Sequence, residues 1–232
     1  MPLSVPLFST NRRRVLITGF EPFQGGKTNP SWEGVRSMNA ARIEKKHNIT
    51  LFRMEIPVRY DAVDKLVPQM WQWYQPDLTI QVGLNAELQT FMVEKMARKR
   101  YCWTLDLKDK NVVNPAGTED ELYTTLNVDT ICEKFINHKC CNEQPTLAWP
   151  SEDAKSYVCE YTYYTSLSLQ NRSATLFVHV PNTIYSTKQL AQGLERILEL
   201  CLEQLPEQNN DDYTCFQDFI PKDETNDNGY SN

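Results

Sequence analysis

A chain of 232 residues with 41% hydrophobic and 23% charged residues is long enough for one sizeable core and sits near the globular average, which excludes disordered and fibrous classes. Its formal net charge of −6 arises wholly from Glu207 onward, where seven acids meet one lysine, so residues 1–206 are neutral in sum and offer no basic surplus for nucleic acid. Seven cysteines, an odd number at irregular spacing, fit free thiols in a reducing compartment and hence the cytoplasm, and no apolar stretch reaches signal-peptide or membrane-span length.

The basic run Arg12-Arg13-Arg14 is too short for an address and reads as a solvated lead into a strand. Val15-Leu16-Ile17, closed by Thr18-Gly19, is the short apolar run ending in Gly that marks a buried strand of an α/β sheet. Asn29-Pro30 supplies an N-cap with Pro at the first helical position and predicts a helix through about Lys46. Leu51–Val58 reads as a second strand. Ala62, Leu66, Met70 and Trp73 then mark one face of a helix that must end before Pro76, and Leu78–Leu84 reads as a third strand.

From Arg98 to Pro145 the polarity is mixed, and only Val128–Asn137 reads as a helix. Thr146–Trp149 predicts a strand, Tyr157–Leu169 a helix, Ala174–Val180 a strand and Thr187–Leu205 a strongly periodic helix. Alternating strands and helices require crossover connections. The expected fold is therefore a single α/β domain, a mostly parallel twisted sheet with helices on both faces, with ligands at the carboxyl ends of its strands. That domain is expected over residues 14–205, between a short lead of residues 1–13 and an acidic tail over 206–232 with the composition of a mobile segment.

Three polar residues stand out against apolar surroundings. His179 interrupts Leu176-Phe177-Val178-His179-Val180-Pro181, where it is either a core histidine satisfied by a partner or a general base at a strand's carboxyl end. Cys159 follows the polar loop Ser151–Lys155 and opens a Tyr-rich helical segment. Aligned peptide dipoles at a helix start favour an anion and lower a thiol's pKa, although a single cysteine is more often a small buried hydrophobe. Glu94, after Phe91-Met92-Val93, is either a solvated edge carboxylate or the group that holds an imidazole in one tautomer. His138-Lys139-Cys140-Cys141 gathers three soft ligands, but a zinc site needs four and no second pair accompanies them. Tyr157, Tyr161, Tyr163 and Tyr164 suit a helix packed on the sheet better than a base-stacking surface, given the lack of basic charge.

Thr18-Gly19-Phe20-Glu21-Pro22-Phe23-Gln24-Gly25-Gly26, with Asn29-Pro30-Ser31-Trp32 just after it, resembles the N-terminal signature of the pyroglutamyl peptidase I family. Val82-Gly83-Leu84 with Val93-Glu94-Lys95 is similar to that family's glutamate segment, Asp153–Leu167 to its cysteine segment and Phe177–Pro181 to its histidine segment. The resemblance covers roughly Arg14 to Leu205. It implies a cysteine peptidase that removes N-terminal pyroglutamate from peptides through a thioester, with Glu94, Cys159 and His179 as its triad and no metal or organic cofactor. Pyroglutamyl peptides would be its partners, with no nucleic acid and no membrane; nothing in the sequence sets the oligomeric state. Phe20 and Phe23 fall on the two phenylalanines that wall the neutral lactam ring in the family, with plain core packing a rival role for one of them. The backbone N–H of Cys159 would serve the oxyanion.

Two departures accompany the resemblance. Asn85–Thr90 replaces a loop usually rich in Gly and small residues, and Lys155 stands where Gly is common before the nucleophile, a steric cost if that position needs positive φ. They leave room for two alternatives: a non-catalytic homologue that binds blocked N-termini, or a related hydrolase with altered acyl specificity.

Overall fold

In the computed structural model, which describes residues 12–23, 25–99, 119–136, 146–155, 157–169, 174–182 and 184–207, strands and helices alternate from the start. The first half runs β1 (Arg13–Phe20), α1 (Pro30–Ser37), α2 (Ala40–His47), β2 (Ile49–Ile56), α3 (Tyr60–Tyr74) and β3 (Leu78–Leu84). The second runs β4 (Phe91–Glu94), β5 (Met96–Arg98), β6 (Glu121–Tyr123), α4 (Val128–Ile136), β7 (Ala148–Ser151), α5 (Val158–Ser168), β8 (Ala174–Val180) and α6 (Thr187–Leu202). The lead over 1–11, the His138-Lys139-Cys140-Cys141 group and the tail after residue 207 lie outside the described residues.

The helix expected from Pro30 to Lys46 is two helices. Met38 is extended at ψ 136°, and the Asn39 side chain accepts from the Arg42 N–H to cap a fresh start. Asn competes with helical backbone through its own side-chain bonds, so an interior Asn becomes a cap. At the front of α1 the Asn29 carbonyl oxygen accepts from the Ser31 N–H and hydroxyl, while its amide donates to Glu21 O. The Ser31 hydroxyl also accepts from the Phe20 N–H, which ties the end of β1 to the start of α1. Gly19 is required there, because a Cβ would lie 2.7 Å from the Trp32 Cα.

Among the described residues six strands form one sheet in the order β2-β1-β3-β8-β4-β7, and β5 pairs with β6 in a separate ribbon. β2, β1, β3 and β8 run parallel, β4 is antiparallel to β8, and β7 is parallel to β4. The sheet is thus mostly parallel, with one antiparallel seam between β8 and β4. On one face α1, α2, α4 and α6 bury Val35, Ile43, Ile131 and Leu194 against Ile17, Ile80 and Val178. On the other, α3 and α5 bury Val63, Met70 and Tyr163 against Leu16, Ile56 and Phe177. β1, β3 and β8 therefore bury both sets of side chains, which explains why their sequences read as continuous apolar runs.

The seam matters for the site. It brings the carboxyl end of β8, which holds His179, beside β4, which holds Glu94. Among the described residues no helix is long and apolar enough to cross a membrane.

Candidate active site

Cys159 is the second residue of α5, just after the extended N-cap Tyr157. The first N–H groups of a helix have no carbonyl partner within it, so the thiol stands over unpaired donors and the positive end of the helix dipole. Gly83, near the end of β3, lets the thiol approach the sheet: a Cβ there would lie 2.8 Å from the Cys159 Sγ and 2.7 Å from the Phe177 Cζ. Only a missing side chain leaves that space. Burial pushes the Cys132 thiol up to about 12 and the Cys201 thiol higher still, whereas Cys159 is partly exposed.

His179 is registered directly opposite Gly83 and is only 2% exposed. Its Nδ1–H donates to Glu94 Oε1 at 2.8 Å, and Glu94 is itself 1% exposed. A carboxylate accepts but does not donate, so the pair fixes the Nδ1–H tautomer and leaves Nε2 available to Cys159. Burial lowers the His179 pKa, but the hydrogen bonds and charges of Cys159 and Glu94 outweigh it and raise the group to about 9. The imidazole ring rests against Phe177, centroids 4.8 Å apart. At neutral pH a ring raised this far carries its second proton, so it can act as an acid beside the Cys159 sulfur. Among the described residues no group of three or more His, Cys, Asp or Glu side chains is placed to hold a metal.

The structure thus brings Glu94, Cys159 and His179 together, Glu94 bonded to the imidazole and the thiol seated on the glycine level with it. Phe20 and Phe23 are placed differently from each other. Phe20 is 3% exposed and packed in the α3/α5 core, where Cys159 also packs, while Phe23 is 40% exposed in the loop after β1.

Several supporting contacts were not legible in the sequence. The Tyr163 hydroxyl donates to the Glu94 carbonyl at 3.0 Å and pins the end of β4 to α5. Gln81 Nε2 donates to the Ser166 hydroxyl at 2.6 Å, tying β3 to the same helix. The buried Glu160 carboxylate accepts from the Arg98 N–H at 3.2 Å and fastens the first turn of α5 to β5. Strands and tyrosines signalled a packed helix, but the carbonyl a tyrosine would reach depends on topology, which single-residue patterns do not carry.

The loop over 85–90 begins with the Asn85 side chain accepting from the Glu87 N–H at 3.1 Å, and the Asn85 N–H donates to Val180 O at 3.1 Å. An Asx turn thus replaces glycine in leading the chain away from β3.

Lys155 has φ 62°, the left-handed region anticipated from the Gly common at this place. Its N–H donates to Asp153 Oδ1 at 3.3 Å and its carbonyl accepts from Tyr157 N–H at 2.8 Å, so the turn is held from both sides. Left-handed geometry costs an L-residue about 1–2 kcal/mol, and glycine recovers part of this against its greater unfolded freedom. Lys155→Gly should therefore raise stability by about 0.5–1 kcal/mol, read as a melting temperature higher by roughly 2 °C. A lower melting temperature would show that the Lys155–Asp153 contacts outweigh the strain.

Comparison with known proteins converges on one family. The family model for pyroglutamyl peptidase matches residues 13–203. Pyroglutamyl-peptidase 1 of Mus musculus is 30% identical over 211 residues, covering 89% of this chain and 98% of that protein. Pyrrolidone-carboxylate peptidase of Thermococcus onnurineus is 30% identical over 180 residues, covering 72% of this chain and 83% of that protein. Among solved structures, pyrrolidone carboxyl peptidase from Thermococcus litoralis superposes with a TM-score of 0.71 at 20% identity, over 82% of this chain and 94% of that one. Pyroglutamyl peptidase I of Bacillus amyloliquefaciens gives 0.69 at 22% identity, over 83% and 98%. At these identities the structures establish the shared α/β fold.

Proposed function

The chain belongs to the pyroglutamyl peptidase family, and on that premise we propose that it is a cysteine peptidase that removes N-terminal pyroglutamate from peptides. The observation that carries the reading is the buried Glu94–His179 contact of 2.8 Å, with the Cys159 thiol resting on Gly83, which is level with the same imidazole. In the proposed reaction the Cys159 Sγ attacks the pyroglutamyl carbonyl carbon, its proton having passed to His179 Nε2. The imidazolium then protonates the leaving nitrogen as the C–N bond breaks, which leaves a thioester. Water attacks that thioester, gives a proton to His179, and the proton returns to Sγ as pyroglutamate departs.

Glu94 has no proton to exchange in this scheme. It keeps the imidazole turned and steadies its charge. The oxyanion would form beside the Cys159 N–H, at the end of α5 whose dipole favours negative charge. A lactam ring needs apolar walls and amide partners and no carboxylate to hold an ammonium. Phe20 would contribute a packed floor and the exposed Phe23 a movable wall. A thiolate nucleophile among free cysteines suits a reducing compartment such as the cytoplasm.

The test is release of a fluorophore from a pyroglutamyl amide, with a prolyl amide as control. Turnover of the first alone supports the reading, and no turnover by folded protein sinks it. Binding without turnover would favour a non-catalytic role, and cleavage of other blocked amides a changed acyl specificity. Because His179 is raised to about 9, kcat/KM should hold through neutral pH and decline above pH about 9, as the imidazolium that must protonate the leaving nitrogen is lost. A profile that falls already near pH 7 would contradict the coupling of His179 to its two partners.

A further inference from the structure

One row of the sheet crosses the whole candidate site. Gly83 on β3 is level with His179 on β8, His179 with Met92 on β4, and Met92 with Trp149 on β7. On the other side Thr18 of β1 is level with Gln81, so two residues further along each strand Phe20 comes level with Gly83. Residues level across a sheet share a face, and their chain neighbours show which face it is. Phe91, Val93, Ala148 and Val178 belong to the core beneath α6. That turns His179, Met92 and Trp149 toward the α5 side, where Phe20 and Phe177 lie.

In order, the row carries the Phe20 ring, the glycine on which the Cys159 thiol rests, the His179 imidazole, Met92 and Trp149. A pyroglutamyl peptide has the same order of parts: lactam ring, carbonyl carbon for the thiolate, nitrogen for the imidazole, and then the residue behind that nitrogen. Exposure rises along the same line, from 2% at His179 through a partly buried Met92 to 49% at Trp149. α4 packs on the opposite side of β7, with its buried side chains in the other core.

A lone exposed indole on an edge strand needs no explanation. This one continues the catalytic row, about two strand spacings, ~10 Å, beyond His179. Resting on the peptidase reading above, we infer that Met92 and Trp149 form the subsite for the first residue of the leaving peptide and favour a large apolar or aromatic side chain there. The proton donor to the leaving nitrogen stands at the head of this strip, so the departing peptide starts from its edge. An aromatic side chain reaches along Met92 to the indole. An alanine methyl does not, so the subsite separates peptides by the residue after the ring and leaves ring recognition to the Phe20 side.

The experiment compares kcat/KM for pyroglutamyl-phenylalanine amide and pyroglutamyl-alanine amide. Wild type should favour the phenylalanine peptide by about tenfold, mainly through KM. Trp149→Ala should bring that ratio near one, and Trp149→Phe should retain most of it. A wild-type ratio near one, or an unchanged ratio in Trp149→Ala, overturns the subsite while the peptidase reading stands. Turnover of neither peptide by folded wild type overturns both. A change in oligomeric mass in Trp149→Ala with an unchanged ratio would assign the indole to contacts between copies of this chain and likewise overturn the subsite.

Discussion

Cys159→Ala should abolish release of pyroglutamate, with kcat reduced by about 10⁵- to 10⁶-fold and the protein still folded. In the proposed reaction the size of the effect comes from covalent chemistry: without the Cys159 sulfur no thioester forms, and only oriented water remains as a nucleophile. No other described cysteine can take its place. Cys132 and Cys201 are buried in the core on the other face of the sheet, and loss of solvent pushes the first thiol up to about 12 and the second higher still. The fold should survive because the change removes a single sulfur from a partly exposed side chain, worth about 1 kcal/mol at most. Circular dichroism and the urea midpoint would check this. A second readout reports on the pair itself. The hydrogen bond and charge of Cys159 help to raise His179, so the imidazole of the variant should titrate below about 9 when followed by NMR. Residual turnover of a few per cent would show that Cys159 is not the nucleophile, and an unmoved imidazole would show that the thiol and the ring are not coupled.

The sequence made some of this site readable and hid the rest for identifiable reasons. β1, β3 and β8 were readable because strands covered on both faces become unbroken apolar runs, and within such a run the polar His179 is conspicuous. β4 was not. It is four residues long, and Phe91-Met92-Val93 gives no period by which to tell a strand from the edge of a loop. The seam depends on it, since Glu94 reaches His179 only because β4 turns antiparallel beside β8. Composition and spacing alone therefore left Glu94 a solvated edge carboxylate as readily as an orienting group. Asn39 hid a helix break inside a continuing periodic pattern, where Val35 and Ile43 face the same core from two separate helices. Lys155 was the most informative departure. A lysine in place of a common glycine raised the question of positive φ, and the backbone does adopt 62° there, held by Asp153 and Tyr157.

Glu94→Gln should lower kcat by about 10⁴-fold while leaving KM close to wild type. The amide keeps the shape of the side chain and can still accept from Nδ1–H, but it carries no charge to steady the imidazolium, and turned over it donates to Nδ1 and selects the wrong tautomer. Proton transfer to the leaving nitrogen then lacks its acid. Ring recognition, proposed for the Phe20 side, should be untouched. The pH profile separates this from a merely structural defect. The Glu94 hydrogen bond and charge are among the causes that raise His179 to about 9, so the alkaline limb should move to lower pH in the variant. Stability carries the same sign. A histidine whose folded pKa lies above its unfolded value of about 6.5 stabilises the fold fully below that value and loses the contribution as pH rises through the folded pKa. The wild type should therefore exceed Glu94→Gln in urea midpoint most clearly at pH 6, and the gap should narrow toward pH 10. A gap that is constant across that range, or an alkaline limb that stays in place, would show that Glu94 only fills space behind the ring. The Tyr163 hydroxyl offers an internal control, because it holds the Glu94 backbone carbonyl and not the carboxylate. Tyr163→Phe should loosen the end of β4 and slow turnover with no shift of the alkaline limb, which separates the position of Glu94 from its charge.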